Sequence, residues 1–162
     1  MAIKHAFIRL AAAVALVTSV APVAPALAAG TEVNATITGL ALRGYDPVAY
    51  FTDGKPVLGD YTITAAHDGA TYRCASEDHK ALFLKDPAKH LPEFGGFCAF
   101  GTAKGVKVDG DPTVWKIVDN KLYLNLAPAV ATRWTEDIPC HIKTANEKWK
   151  VVKDKAPSEL LK

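Results

Sequence analysis

The chain has 162 residues, of which 49% are hydrophobic and 22% charged, with three Cys, ten Pro and eleven Gly. That length holds one ordinary domain, and that mixture excludes a disordered chain, a coiled coil, a collagen-like repeat and a disulfide-dense miniprotein. The formal charge of +2 comes from Lys4 and Arg9; without them 17 basic residues meet 17 acidic ones, and a neutral chain with no basic block argues against a nucleic-acid binder.

Residues 1–28 read as a secretory signal peptide. Lys4 and Arg9 form a positive start, and Leu10 to Ala21 form an apolar stretch interrupted only by Thr18 and Ser19. Pro22 and Pro25 follow, and Ala26-Leu27-Ala28 supplies the small-x-small pattern that signal peptidase reads. The run is shorter than the ~18–20 apolar residues needed to span a bilayer. Cleavage after Ala28 is expected, giving a bacterial periplasmic or secreted product with no membrane contact after processing. The remaining chain divides into a domain over 29–152 and a polar, frayed tail over 153–162. A domain of that size buries enough surface to fold without a metal.

Residues 29–43 are mixed and are expected to run over the surface. Gly44-Tyr45-Asp46-Pro47 is a turn, because Pro47 fixes its own φ and restricts Asp46. Val48 to Phe51 is a short apolar strand, with Asp53-Gly54 opening a hairpin into Val57-Leu58. Tyr61 to Ala65 alternates as a strand, and His67-Asp68-Gly69 turns the chain into a second, Ala70 to Cys74. Ser76 caps a helix over Glu77 to Lys85, with Leu82 and Phe83 inward, that ends before Asp86-Pro87. Pro92, Gly95 and Gly96 hold off regular structure until Phe97. Val114 to Val118 and Lys121 to Leu126 flank Asp119-Asn120, a two-residue loop suited to a type I′ hairpin with Trp115, Ile117, Leu122 and Leu124 on its buried face. Pro128 opens a helix toward Glu136, and Pro139 another to about Val152 with Ile142, Ala145 and Trp149 in one apolar stripe. The sum is one small α+β domain of short antiparallel strands and hairpins with packed helices.

No glycine-rich phosphate loop, His-Glu-x-x-His, Gly-x-Ser-x-Gly or Cys-x-x-Cys occurs. Several other segments together resemble the exported YHS-domain proteins of bacteria: Gly44-Tyr45-Asp46-Pro47-Val48-Ala49-Tyr50-Phe51, Tyr72 with Ala75-Ser76-Glu77, Gly95-Gly96-Phe97-Cys98-Ala99, Trp115-Lys116-Ile117-Val118-Asp119 and Lys121-Leu122-Tyr123-Leu124-Asn125. The likeness runs in order along nearly the whole of 29–152. It implies an association with heavy-metal handling, copper above all, while some relatives are selenoproteins. In the metal-binding modules of that family the three ligand positions correspond here to Ala49, Ala75 and His79, so only His79 of that set can bind a metal. Cys98 matches the exported family's own motif, and Cys74 ends a strand nearby in sequence.

The expected function is therefore binding or handling of a soft metal, copper(I) or zinc, on Cys98 with Cys74 and His79 as neighbouring donors. Phe94 and Phe97 would wall a small pocket, with Gly95 and Gly96 clearing access to the thiol. Two alternatives stand beside it: a thiol-redox protein with Cys98 as the reactive residue, and a non-catalytic structural or interaction domain. No catalytic residue is assigned and no protein partner is named. Three cysteines cannot all pair, and a Cys74–Cys140 bridge is favoured among the three pairings because both residues depart from the family pattern.

Overall fold

A computed structural model describes residues 32–160; the signal peptide expected over 1–28 and its expected cleavage point lie outside the described residues. Turn chemistry places both hairpins. Asp68 and Gly69, at φ +46° and +75°, join β1 (Thr64–His67) to β2 (Ala70–Arg73), with Thr64 opposite Arg73 and His67 opposite Ala70. Asp119 and Asn120, at φ +50° and +59°, join β3 (Asp111–Val118) to β4 (Lys121–Asn125), with Val118 opposite Lys121. Asp and Asn tolerate the left-handed region that such a two-residue loop demands. Each hairpin is a separate two-stranded antiparallel sheet.

Seven α-helices accompany the hairpins among the described residues: α1 (Ala49–Thr52), α2 (Glu77–Lys85), α3 (Pro87–His90), α4 (Ala99–Ala103), α5 (Pro128–Thr135), α6 (Ile138–Val152) and α7 (Pro157–Leu160). Caps explain their limits. Ser76 Oγ accepts from His79 N at 3.1 Å to start α2. Asp86 closes α2 and its carboxylate accepts from Lys89 N at 3.3 Å to start α3. Asp137 does the same for α6 through Cys140 N at 3.1 Å. The result is the α+β domain expected from the sequence.

β4 is the wall between two hydrophobic clusters. Successive side chains of a strand face opposite ways, so Leu122 and Leu124 join Val48, Tyr50, Tyr72, Cys74 and Phe83 in one cluster. Tyr123 joins Phe94, Ala99, Trp134 and Ala145 in the other, with Ile142 and Trp149 of α6 packed against it. The α6 stripe is thus placed as its spacing requires.

Several local expectations are corrected. Val48 to Phe51 is not a strand: Asp46 Oδ1 accepts from Val48 N at 2.8 Å, and Thr52 N reaches back to Val48 O at 3.1 Å, so the run begins a helical turn. A four-residue apolar run carries no periodicity to tell the two apart. No hairpin opens at Asp53-Gly54; Leu58 instead pairs with Tyr45 in an isolated bridge. The Asp60 carboxylate binds Thr62 N at 2.7 Å in a side-chain turn that delays β1 to Thr64. Leu82 is exposed while Phe83 is buried, and Ala41 and Leu42 are buried rather than on the surface. Helices α3 and α4 fall where no helix was expected. The start of the C-terminal segment is fastened: buried Lys107 donates to the carbonyls of Lys153 at 2.9 Å and Lys155 at 2.7 Å.

Gly95 illustrates why the Gly-Gly pair is present. It sits at φ +61°, a Cβ there would run into the carbonyl oxygen of Glu32, and its own carbonyl accepts from Asn34 N at 2.8 Å. Gly95→Ala is expected to cost about 2–3 kcal/mol from left-handed strain plus overpacking. A lowered urea midpoint at unchanged m-value checks it.

Candidate functional site

The Asp46-Pro47 turn aims a carboxylate into the protein. Asp46 is wholly buried, and its oxygens accept from Val48 N at 2.8 Å, Ala75 N at 2.7 Å and His79 Nδ1 at 2.6 Å. Three donors, one on an imidazole, offset the cost of desolvating the carboxylate. They also tie α1, the residues after β2 and the first turn of α2 to one point.

Because a carboxylate oxygen accepts, Nδ1 of His79 carries the proton and Nε2 is the outward ring atom. Nε2 lies 3.3 Å from Thr52 Oγ1 and 3.7 Å from Asp53 Oδ1. The His79 side chain is 15% exposed and that of Asp53 35%, so solvent reaches both. Thr52 directs its hydroxyl proton to Asp53 Oδ1 at 2.7 Å. That leaves no proton for His79 to remove, and the cluster is not built to activate Thr52 as a nucleophile.

The cysteines have different surroundings. Cys98 is buried and caps α4: its Sγ accepts from Gly101 N at 3.4 Å and donates to Asn125 Oδ1 at 3.6 Å. Asn125, itself buried, also accepts from Phe100 N at 3.3 Å. The expected pocket at Cys98 is replaced by packing, for Phe94 lies against Tyr123 and Trp149, and Phe97 against Trp149. Cys74 is buried in the first cluster, and burial, then the charge of Asp46, pushes its thiol up to about 11. Cys140 is exposed on the first turn of α6. All three are free thiols, which overturns the Cys74–Cys140 pairing: one sulfur lies in the core and the other on the surface.

The structure therefore sets His79 on Asp46, whose charge also reaches Cys74, while Cys98 is engaged by Gly101 and Asn125. Among the described residues no three His, Cys, Asp or Glu side chains group to hold a metal ion, so the set Cys98, Cys74 and His79 is not assembled. The other described histidines are occupied: His90 is buried with Nδ1 on Asp86 O at 3.0 Å, and burial lowers its pKa. His141 Nδ1 lies 2.9 Å from Trp134 O, and His67 pairs with Asp68 at 3.3 Å. Asp46 and Asp53 were legible only as turn residues, because nothing local links Asp46 to a histidine 33 positions away. Comparison with protein-family models, characterised proteins and solved structures gives no match for this chain.

Proposed function

We propose that this chain is an exported metal-handling domain that takes a divalent transition-metal ion, zinc or copper(II), on His79 Nε2 and the Asp53 carboxylate. The observation that carries it is the 2.6 Å bond from His79 Nδ1 to Asp46. A carboxylate behind a histidine fixes the tautomer, orients the ring and raises the basicity of the outer nitrogen, as it does behind metal-binding histidines generally. Two ligand atoms about 2.1 Å from a tetrahedral zinc stand about 3.4 Å apart. His79 Nε2 and Asp53 Oδ1, at 3.7 Å, need only a small adjustment to meet that.

The nitrogen and oxygen donors favour zinc or copper(II) over the copper(I) that thiolates would select. Two protein donors leave the remaining positions to water or to a partner's side chain, which suits exchange of an ion better than its storage. The resemblance to exported YHS proteins supports the same class of function. The thiol-redox alternative draws no support from the structure, since a reactive cysteine has to be reached and Cys98 is buried.

Zinc and copper(II) titration of the purified protein against a chromophoric chelator tests the site. One ion per chain is expected, with affinity lowered at least about tenfold in His79→Gln and in Asp53→Asn and unchanged in Cys98→Ser. Binding that survives His79→Gln, or its absence from the unsubstituted protein, overturns the proposal.

A further inference from the structure

A second candidate site lies in a cleft of about 460 Å³, none of whose described lining residues belongs to the Asp46–His79 cluster. Its walls include Val33, Leu91 and the rings of Tyr72 and Trp149, and its acidic groups are Glu32 and Asp68. That volume falls in the range of small-molecule sites. No Lys, Arg or His is among the described lining residues. Glu32 is paired with Lys153 at 2.8 Å, whereas Asp68, whose side chain is 75% exposed, has only a 3.3 Å approach from His67.

The independent observation is the hydroxyl of Tyr72. This residue is 3% exposed, with its ring against Phe83 in the first cluster, yet its hydroxyl has no hydrogen-bond partner. The one fully enclosed unsatisfied side-chain atom among the described residues is Trp134 Nε1, so the Tyr72 hydroxyl is open to solvent, and Tyr72 lines this cleft. Burial and the nearby charge of Asp68 raise its pKa, which keeps it a protonated donor. With no protein acceptor, this solvent-open hydroxyl is free to exchange water for a ligand's acceptor.

We propose that this cleft binds a small organic ammonium bearing a hydrogen-bond acceptor next to an apolar body. Asp68 supplies the negative charge, since Glu32 is paired with Lys153 and the Lys107 ammonium already stands 5.5 Å over the Trp149 ring; Tyr72 offers a ring face that attracts a cation, and its hydroxyl donates to the acceptor. An anionic ligand of the same shape meets the charge of Asp68, and no Lys, Arg or His is among the described lining residues to offset it.

Calorimetric or NMR titration in the presence of a metal chelator tests this with three probes: phenylalanine amide, which carries the ammonium and a carbonyl; phenethylammonium, which lacks the carbonyl; and N-acetylphenylalanine, an anion. Phenylalanine amide is expected to saturate below about 1 mM, phenethylammonium to bind several-fold more weakly, and the anion at least about tenfold more weakly. Asp68→Asn is expected to weaken both cations about fivefold. It keeps the turn, since Asn also accepts the φ of +46° found there. Tyr72→Phe is expected to weaken the amide alone, to the level of phenethylammonium. Equal binding of all three probes would show an unselective apolar groove and overturn the proposal. Cation binding indifferent to Asp68→Asn, or no saturation of the unsubstituted protein, would do the same.

Discussion

Replacing Asp46 with alanine is expected to lower the unfolding free energy by about 3–5 kcal/mol, because three donors lose their acceptor at about 1–3 kcal/mol each. The carboxylate holds three donors: Val48 N, Ala75 N and His79 Nδ1. Alanine leaves all three without an acceptor and opens a small void in a wholly buried position. His79→Ala is expected to cost less, about 1–2 kcal/mol, because Asp46 then keeps both backbone donors and only the charge-assisted bond is lost. Urea unfolding of both single variants and the double variant gives the coupling energy, expected at about 1–3 kcal/mol for groups in direct contact. A loss below about 1 kcal/mol in Asp46→Ala would mean that water replaces the carboxylate, contradicting its burial. The same buried group orients His79 Nε2, so stability and the proposed site draw on one side chain.

The chain order of the hairpins, the Ser76 cap, the Pro128 helix and the α6 stripe were legible because each is written within a few residues. Asp119-Asn120 needs only its own φ values, and Ser76 only the amide three residues on. The Asp46–His79 pair is different in kind. Its two halves are brought together by the β1–β2 hairpin and the start of α2, and no local pattern marks a histidine at the third position of a helix as the partner of a distant aspartate. Val48 to Phe51 failed for a related reason: the amide that starts its turn is satisfied by a side chain, and hydrophobicity does not report that bond. Gly95 and Gly96 suggest open access to the Cys98 thiol, but what the missing side chain at Gly95 admits is the backbone at Glu32. Cys98 was read as a reactive group because a thiol's capping role, accepting from Gly101 N beside Asn125, depends on an element that the sequence reading did not place.

Thiol labelling of the native protein is expected to modify Cys140 at once and to leave Cys74 and Cys98 protected by at least about a thousandfold, the ratio set by global unfolding of a stable domain. The contrast follows from position. Cys140 is exposed on α6, whereas Cys98 and Cys74 are buried, and no local opening short of separating α4 from β4 would release the Cys98 sulfur from Gly101 and Asn125. Chemistry adds to access at Cys74, whose pKa of about 11 leaves almost none of it as thiolate at neutral pH. One modified cysteine by intact mass without denaturant, and three with it, is the expected count. Native labelling of Cys98 at a rate near that of Cys140 would mean that α4 opens readily. That outcome would return Cys98 to the set of functional candidates and weaken the case for His79 as the metal-facing residue.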